Sequence, residues 1–229
     1  MLKAEGNQKK HYLLVGALVA LILLIDQVVK IWVKSTFDDS TPINIFGEWF
    51  RMVYVENPGM AFGTTFGAGM WPKLTLSLLR IGAISAIFIY IFKKIKSGVS
   101  TEFVIVGSLV LSGAIGNLID SMLYDFIFTF DPCYYYNFQE GSKIFHDCDF
   151  YGKVEIRPRG FLLGNVVDMF QFNLTYPKWV PVLGGKEVFP AVWNIADGAI
   201  SVAVVWIFIR YKTLTKEPVS TTVSTEEEY

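Results

Sequence analysis

Four stretches of this chain, near residues 12–34, 74–93, 102–123 and 188–210, are apolar for long enough to cross a bilayer. A helix needs about 20 residues to span about 30 Å of hydrocarbon. Such a chain has few folds open to it, because inside hydrocarbon every backbone N–H and C=O must be satisfied by a helix or a closed barrel. The expected fold is mainly α, a polytopic membrane protein with four transmembrane helices. Its 52% apolar, 16% aromatic and 18% charged residues agree, being too apolar for an average soluble domain. A formal net charge of −1 points to no nucleic-acid partner.

The apolar core of the first stretch, Tyr12 through Val33, is longer than the core of a removable signal peptide, and no small-residue cleavage site follows it, so it is expected to remain as an anchor. No cysteine near the N-terminus is available to carry a lipid. Lys3, Lys9 and Lys10 precede the first stretch, Lys93, Lys94 and Lys96 separate the second from the third, and Arg210, Lys212 and Lys216 follow the fourth. The positive-inside rule then places both termini in the cytoplasm and sends 35–73 and 124–187 outward.

Residues 1–217 read as one membrane-embedded domain, and 218–229, rich in Ser, Thr and Glu, as a disordered cytoplasmic tail. Ile43–Glu56, broken by Phe46-Gly47-Glu48, reads as a small β-hairpin or β-cradle that runs into the turn Asn57-Pro58-Gly59. The long second outer connection, with Tyr134-Tyr135-Tyr136 and scattered Pro and Gly, reads as a folded cap with some strand. Cys133 and Cys148 both fall in it, either as a disulfide in an oxidising compartment or as two buried thiols.

Ionisable groups inside a span are costly and mark functional sites. Asp26, Lys30, Arg80, Asp120 and Asp197 all fall in the outer half of their spans. Three segments, Asn117-Leu-Ile-Asp120, Asn165-Val-Val-Asp168 and Asn194-Ile-Ala-Asp197, place an amide and a carboxylate three residues apart, on one face if helical. An amide beside a carboxylate can orient it without neutralising it, which suits a hydrolytic pair. The alternative is polar glue between helices.

Other peptidase chemistries lack their residues. The two histidines, His11 and His146, form no zinc motif and neither lies at membrane depth for a Ser–His pair, so no metal is expected. A Ser–Lys pair from Ser112 and Lys30 is open, although Asp26, one turn earlier, is a simpler partner for Lys30. Two carboxylates sharing one proton remain: the ionised one takes a proton from water while the protonated one donates to the scissile carbonyl, with no cofactor. On physical grounds alone, Asp120 and Asp168 are equal candidates for the first carboxylate.

The order and spacing of these residues resemble the lipoprotein signal peptidase family, also called signal peptidase II. The resemblance rests on Asp26-Gln27-x-x-Lys30, Asn57-x-Gly59-x-Ala61-Phe62-Gly63, Gly116-Asn117-x-x-Asp120, Val166-Val167-Asp168-Met169-Phe170 and Asn194-x-Ala196-Asp197, and covers most of the chain. It implies an aspartic endopeptidase of the bacterial inner membrane with its site near the periplasmic face; a monomer is expected. Its partners are membrane lipids and prolipoproteins whose lipobox cysteine carries a diacylglyceryl group, and it cuts before that cysteine. It implies Asp168 and Asp197 as the catalytic pair, Asn165 and Asn194 as orienting residues, and Asn57, with Gly59 and Asn117, at the substrate. Asp26, Lys30 and Asp120 become structural.

Two departures stand out. The family commonly has Arg where this chain has Ser121, for which Arg157 and Arg159 are candidate substitutes. An outer insertion near 124–160, with extra residues around 175–187, is either a lid or tolerated bulk. Trp49, Trp71, Trp179 and Trp193 fit an interfacial belt or a lipid groove. A small transporter or lipid-binding protein is the rival class, disfavoured by the lack of repeat halves and broken helices; an inactive scaffold is the other.

Overall fold

The computed structural model describes residues 2–37, 41–58 and 69–214. The Gly59 expectation, the Ala61-Phe62-Gly63 part of its motif and the tail 218–229 lie outside the described residues.

Four helices run alternately up and down: α1 (Leu2–Thr36), α2 (Met70–Lys96), α3 (Thr101–Ile127) and α4 (Ile195–Leu214). Each terminus has a local cause. Pro72 sits in the first turn of α2, where a missing N–H costs nothing, and Lys93, Lys94 and Lys96 meet the negative end of its dipole. Ser100 caps α3, its hydroxyl accepting from Phe103 N at 3.2 Å. Among the described residues, Glu5–Thr36, Met70–Lys96 and Thr101–Ile127 are long and apolar enough to cross a membrane. α4 is shorter and carries Asp197, Arg210 and Lys212.

The fourth apolar stretch, expected as a helix near 188–210, divides. Pro190 stops helix before it, Val192–Trp193 is a strand, and the helix begins only at Ile195.

α3 is the central helix, with the most buried faces. Small residues let its neighbours approach. A Cβ on Gly113 would lie 2.3 Å from the Ala196 carbonyl oxygen of α4, and one on Gly116 would lie 2.9 Å from Asp26 Oδ2 of α1. This close packing, typical of helices without a water-driven force between them, brings α1, α3 and α4 together at the level of the carboxylates.

The hairpin forms, as β1 (Ile43–Phe46) and β2 (Phe50–Asn57). It is half of a four-stranded antiparallel sheet ordered β1-β2-β5-β6, where β5 is Val166–Phe172 and β6 is Val192–Trp193. The pairing sets Asn57 opposite Val166 and Val55 opposite Asp168. Val167 and Met169, both fully buried, pack with Val33, Tyr54 and Tyr124, seating the sheet on the ends of α1 and α3.

The insertion carries the hairpin β3 (Phe145–Cys148) and β4 (Gly152–Glu155), and Cys133 and Cys148 are disulfide-bonded. Arg157 grips Asp125 at the end of α3 through two bonds, Nη2 to Oδ1 at 2.6 Å and Nη1 to Oδ2 at 3.0 Å. Tyr136 Oη donates to the Tyr54 carbonyl at 2.7 Å. The cap is thus bolted to both the helical bundle and the sheet.

Candidate active site

The site is assembled where α3, β5 and the start of α4 meet, around Asn194. This residue caps α4: Asp197 N donates to Asn194 Oδ1 at 2.9 Å, and Asn194 N donates back to Asp197 Oδ2 at 3.4 Å. The reciprocal pair is a capping box, here Asn-x-x-Asp, in which the fourth residue reaches back to the first. It fixes Asp197 in the first turn, where the helix dipole favours negative charge.

The other half of the Asn194 amide reaches across to the sheet. Its Nδ2 donates to Asp168 Oδ1 at 2.6 Å, and also lies 3.1 Å from Asn117 Oδ1 and 3.3 Å from the Val167 carbonyl. Asp168 Oδ2 accepts from Asn57 Nδ2 at 3.0 Å, and Asp197 Oδ1 accepts from Asn117 Nδ2 at 2.7 Å. Asp168 and Asp197 are therefore held by direct bonds from neutral donors and share one amide between them. Burial, followed by the nearby Asp197 charge, pushes the Asp168 carboxyl up to about 7, against the bonds from Asn57 and Asn194 and the charge of Lys30.

Asp26 and Asp120 sit differently. Lys30, fully buried, lies 3.0 Å from Asp26 Oδ2 and 2.8 Å from Asp120 Oδ2. Gln27 Nε2 donates to Asp120 Oδ1 at 2.9 Å, Val167 N donates to Asp120 Oδ2 at 3.3 Å, and Ala196 N donates to Asp26 Oδ1 at 2.9 Å. These two carboxylates share one buried cation and tie α1 and α3 to β5 and α4. Lys30 also donates to Asn117 Oδ1 at 3.0 Å, so the amide holding Asp197 is itself held. Ser112 Oγ donates to the Leu109 carbonyl within its own helix, which leaves no Ser–Lys pair.

Two expectations are corrected. Only one of the three Asn-x-x-Asp segments is helical throughout: Asn117 and Asp120 lie inside α3, Asn194 and Asp197 straddle a helix start, and Asn165 precedes the strand that carries Asp168. A strand turns alternate residues to opposite faces, so a spacing of three separates Asn165 from Asp168. Asn165 donates instead to Glu56 Oε2 at 3.2 Å and the Tyr136 carbonyl at 3.3 Å, and accepts from Lys73 Nζ at 3.0 Å. Nor do Arg157 and Arg159 stand in at Ser121, since both are engaged at Asp125. The guanidinium that reaches Ser121 Oγ, at 3.5 Å, is that of Arg80 on α2.

Sequence reasoning missed Lys73 and Glu56. Burial works to raise the Glu56 carboxyl, but the ion pair with Lys34 and the bond from Tyr54 outweigh it and hold it below the usual range. A cavity of about 430 Å³ beside this group, lined by Lys34, Tyr54, Glu56, Asp125 and Arg157 among others, does not include the Asp168–Asp197 pair. The ligand atoms of Cys133, His146 and Cys148 lie within 4.8 Å of one another, but the disulfide consumes both thiols.

The sequence model of the family described as signal peptidase (SPase) II matches residues 18–213. A lipoprotein signal peptidase of Porphyromonas gingivalis is 36% identical over 209 residues, 86% of this chain and 82% of the relative. One from Amoebophilus asiaticus is 36% identical over 214 residues, 90% of this chain and 80% of the relative. A bacterial membrane enzyme solved by the in meso method at 2.3 Å has the same fold, with a TM-score of 0.55 at 20% identity over 94% of this chain and 93% of that one. With a family match over most of its length and relatives this similar, the chain belongs to the signal peptidase II family.

Proposed function

We propose that this chain is a membrane aspartic endopeptidase that removes signal peptides from diacylglyceryl-modified prolipoproteins, cutting before the lipid-bearing cysteine with Asp168 and Asp197. Family membership carries the reaction. The observation that carries the choice of residues is the contrast between two pairs of carboxylates: Asp168 and Asp197 share Asn194 and accept from neutral donors, whereas Asp26 and Asp120 are each ion-paired to Lys30.

In this mechanism the two acids hold one proton and one negative charge. The ionised carboxylate takes a proton from water as its oxygen attacks the scissile carbonyl; the protonated one donates to the carbonyl oxygen, giving a neutral gem-diol. The gem-diol returns one hydroxyl proton to a carboxylate, the C–N bond breaks, and the departing amine of the lipid-bearing cysteine takes a proton from the pair. Asn117, Asn194 and Asn57 hold the carboxylates in register for both steps. Asn57, at the end of β2, also meets substrate backbone in this mechanism.

The placement in the membrane is inferred in the same way. α4 serves as a fourth span in the bacterial inner membrane, both termini are cytoplasmic, and the sheet and cap lie at the periplasmic face. Support comes from the lysines ending α2 and from the sheet, cap and carboxylates gathered at the opposite end of the bundle. A lipid-anchored cysteine brings its scissile bond to that interface. A Phe150→Cys substitution on the exposed cap should react with a membrane-impermeant maleimide in spheroplasts; labelling only after lysis would reverse the orientation.

The reaction is tested with the purified protein in detergent and a diacylglyceryl-modified prolipoprotein, reading the product N-terminus by mass spectrometry. A product beginning at the lipid-bearing cysteine is expected, and no cleavage of the unmodified precursor. Cleavage elsewhere, or equal cleavage of the unmodified precursor, would refute the reading.

A further inference from the structure

The charges around the site do not balance without α2. Asp26, Asp120, Asp168 and Asp197 gather at one level, and a working pair of the last two keeps one proton and one negative charge. Lys30 is committed at 3.0 Å and 2.8 Å to Asp26 and Asp120. A charge left on the Asp168–Asp197 pair would then have only the charge of Lys30, already shared by two carboxylates, to offset it from α1, α3 or α4 among the described residues, and an under-compensated charge at this depth is costly.

α2 presents a polar stripe to that place. Lys73, Ser77 and Arg80 stand at i, i+4 and i+7, on one helical face. Lys73 Nζ donates to Asn165 Oδ1 at 3.0 Å, Ser77 Oγ donates to the Leu162 carbonyl at 2.8 Å, and Arg80 Nη1 lies 3.5 Å from Ser121 Oγ. The stripe therefore runs along the 162–165 turn that leads into β5. That turn is pinned to α3 as well, Gly164 N donating to the Ser121 carbonyl at 3.0 Å, with no room for a Cβ on Gly164, which would lie 2.6 Å from the Asp120 carbonyl oxygen. The half-buried Arg80 is thereby held against α3 one residue beyond Asp120, and its charge interacts with Asp197, Asp120 and Asp168.

We propose that Arg80 is a positioning residue of the reaction: its guanidinium, seated against the small side chain of Ser121, is the counter-ion that keeps one negative charge on the Asp168–Asp197 pair. The proposal rests on that pair being the catalytic one. The other charged groups on the elements packed there are Asp26 and Lys30 from α1 and Asp120 from α3, with Lys73 of α2 beside Arg80 and itself facing Asp125 of α3, Glu56 of the sheet and Arg157 of the cap.

A nearby cation favours ionised carboxylates, so removing it makes the pair bind protons more tightly and moves both limbs of the pH–rate profile to higher pH. Displacing a limb by about one unit lowers the rate about tenfold at a fixed pH on the acidic flank. The test is the pH profile of kcat/KM for full-length Arg80→Gln and Arg80→Lys in detergent, beside wild type and Asp197→Asn, with melting curves to confirm folding. Arg80→Met, which keeps the packed stem, replaces the Gln variant if that does not fold.

The expected result is both limbs displaced upward by about one unit in the neutral variant and wild-type limbs in Arg80→Lys. Wild-type limbs in the neutral variant, whatever its rate, overturn the proposal, as does an equal displacement in Arg80→Lys. Activity retained by Asp197→Asn would instead sink the carboxylate pair on which the proposal stands.

Discussion

Asn194 Nδ2 donates to Asp168 Oδ1 at 2.6 Å while the oxygen of the same amide accepts from Asp197 N at 2.9 Å. One side chain thus caps the helix that carries Asp197 and holds the Asp168 carboxylate of the neighbouring strand in register with it. Asn194→Ala removes both functions. The lost cap costs about 1 kcal/mol of stability, whereas misplacing a reacting group by about 1 Å costs about 10²-fold in rate. The expected outcome is a small loss in melting temperature with kcat lowered about 10²-fold; steady-state kinetics beside a melting curve check it, and proportional losses of both would mean that the amide only caps.

The Asp168 carboxyl, pushed up to about 7, gives a pH signature of its own. Between its ordinary range and about 7 the folded protein binds a proton that the unfolded chain has released, so stability falls as pH rises through that window. Asp168→Asn stays neutral throughout. It should therefore melt higher than wild type at pH 8, with the difference shrinking towards pH 4. A difference independent of pH would place the carboxyl in a more solvated setting than the structure gives it.

Breaking the Lys30 network should damage folding before chemistry. Lys30→Met leaves Asp26 and Asp120 buried without their cation, a change that costs about 3–5 kcal/mol for a buried pair. Asp26→Asn leaves Lys30 paired with Asp120 and should cost less. The melting temperatures, measured in one detergent, should rank wild type, Asp26→Asn, Lys30→Met in falling order; an unaffected Lys30→Met would show that the network does not hold the helices together.

The cap should depend more on Arg157 than on its disulfide. Removing the bridge with Cys133→Ser and Cys148→Ser frees a loop of 15 residues, worth about 3 kcal/mol, but leaves the Arg157–Asp125 bonds intact. Limited proteolysis should show the double Ser variant nicked within 133–148 and still active, and Arg157→Gln nicked more widely with reduced activity. The reverse order would make the disulfide the main anchor.

The first three helices were legible because their signal is long and local. The hairpin was legible from its turn and its β-formers. β5 was not separated from the surrounding outer loop, because a strand buried on both faces shows no alternation; Val166 through Met169 are all buried. The start of α4 was misjudged because Phe189 through Ile195 is apolar enough to extend the hydropathy, while the true boundary is written in Pro190 and the Asn194–Asp197 capping box. The choice between Asp120 and Asp168 could not be made from spacing, since identical spacing gives a shared face in α3 and opposed faces at β5. Partner identity was the least legible, because it is non-local: Asn57 reaches Asp168 across 111 positions, and Lys73 reaches Asn165 across 92.

In the proposed mechanism Asp168 and Asp197 perform the cleavage and Asp120 does not. Single-turnover cleavage of a diacylglyceryl-modified prolipoprotein by wild type, Asp168→Asn, Asp197→Asn and Asp120→Asn, each shown to be folded in the same detergent, tests it most directly. Background rates are expected for the first two variants and measurable cleavage by Asp120→Asn, reduced in step with its stability. Background cleavage by folded Asp120→Asn together with an active Asp168→Asn would contradict it.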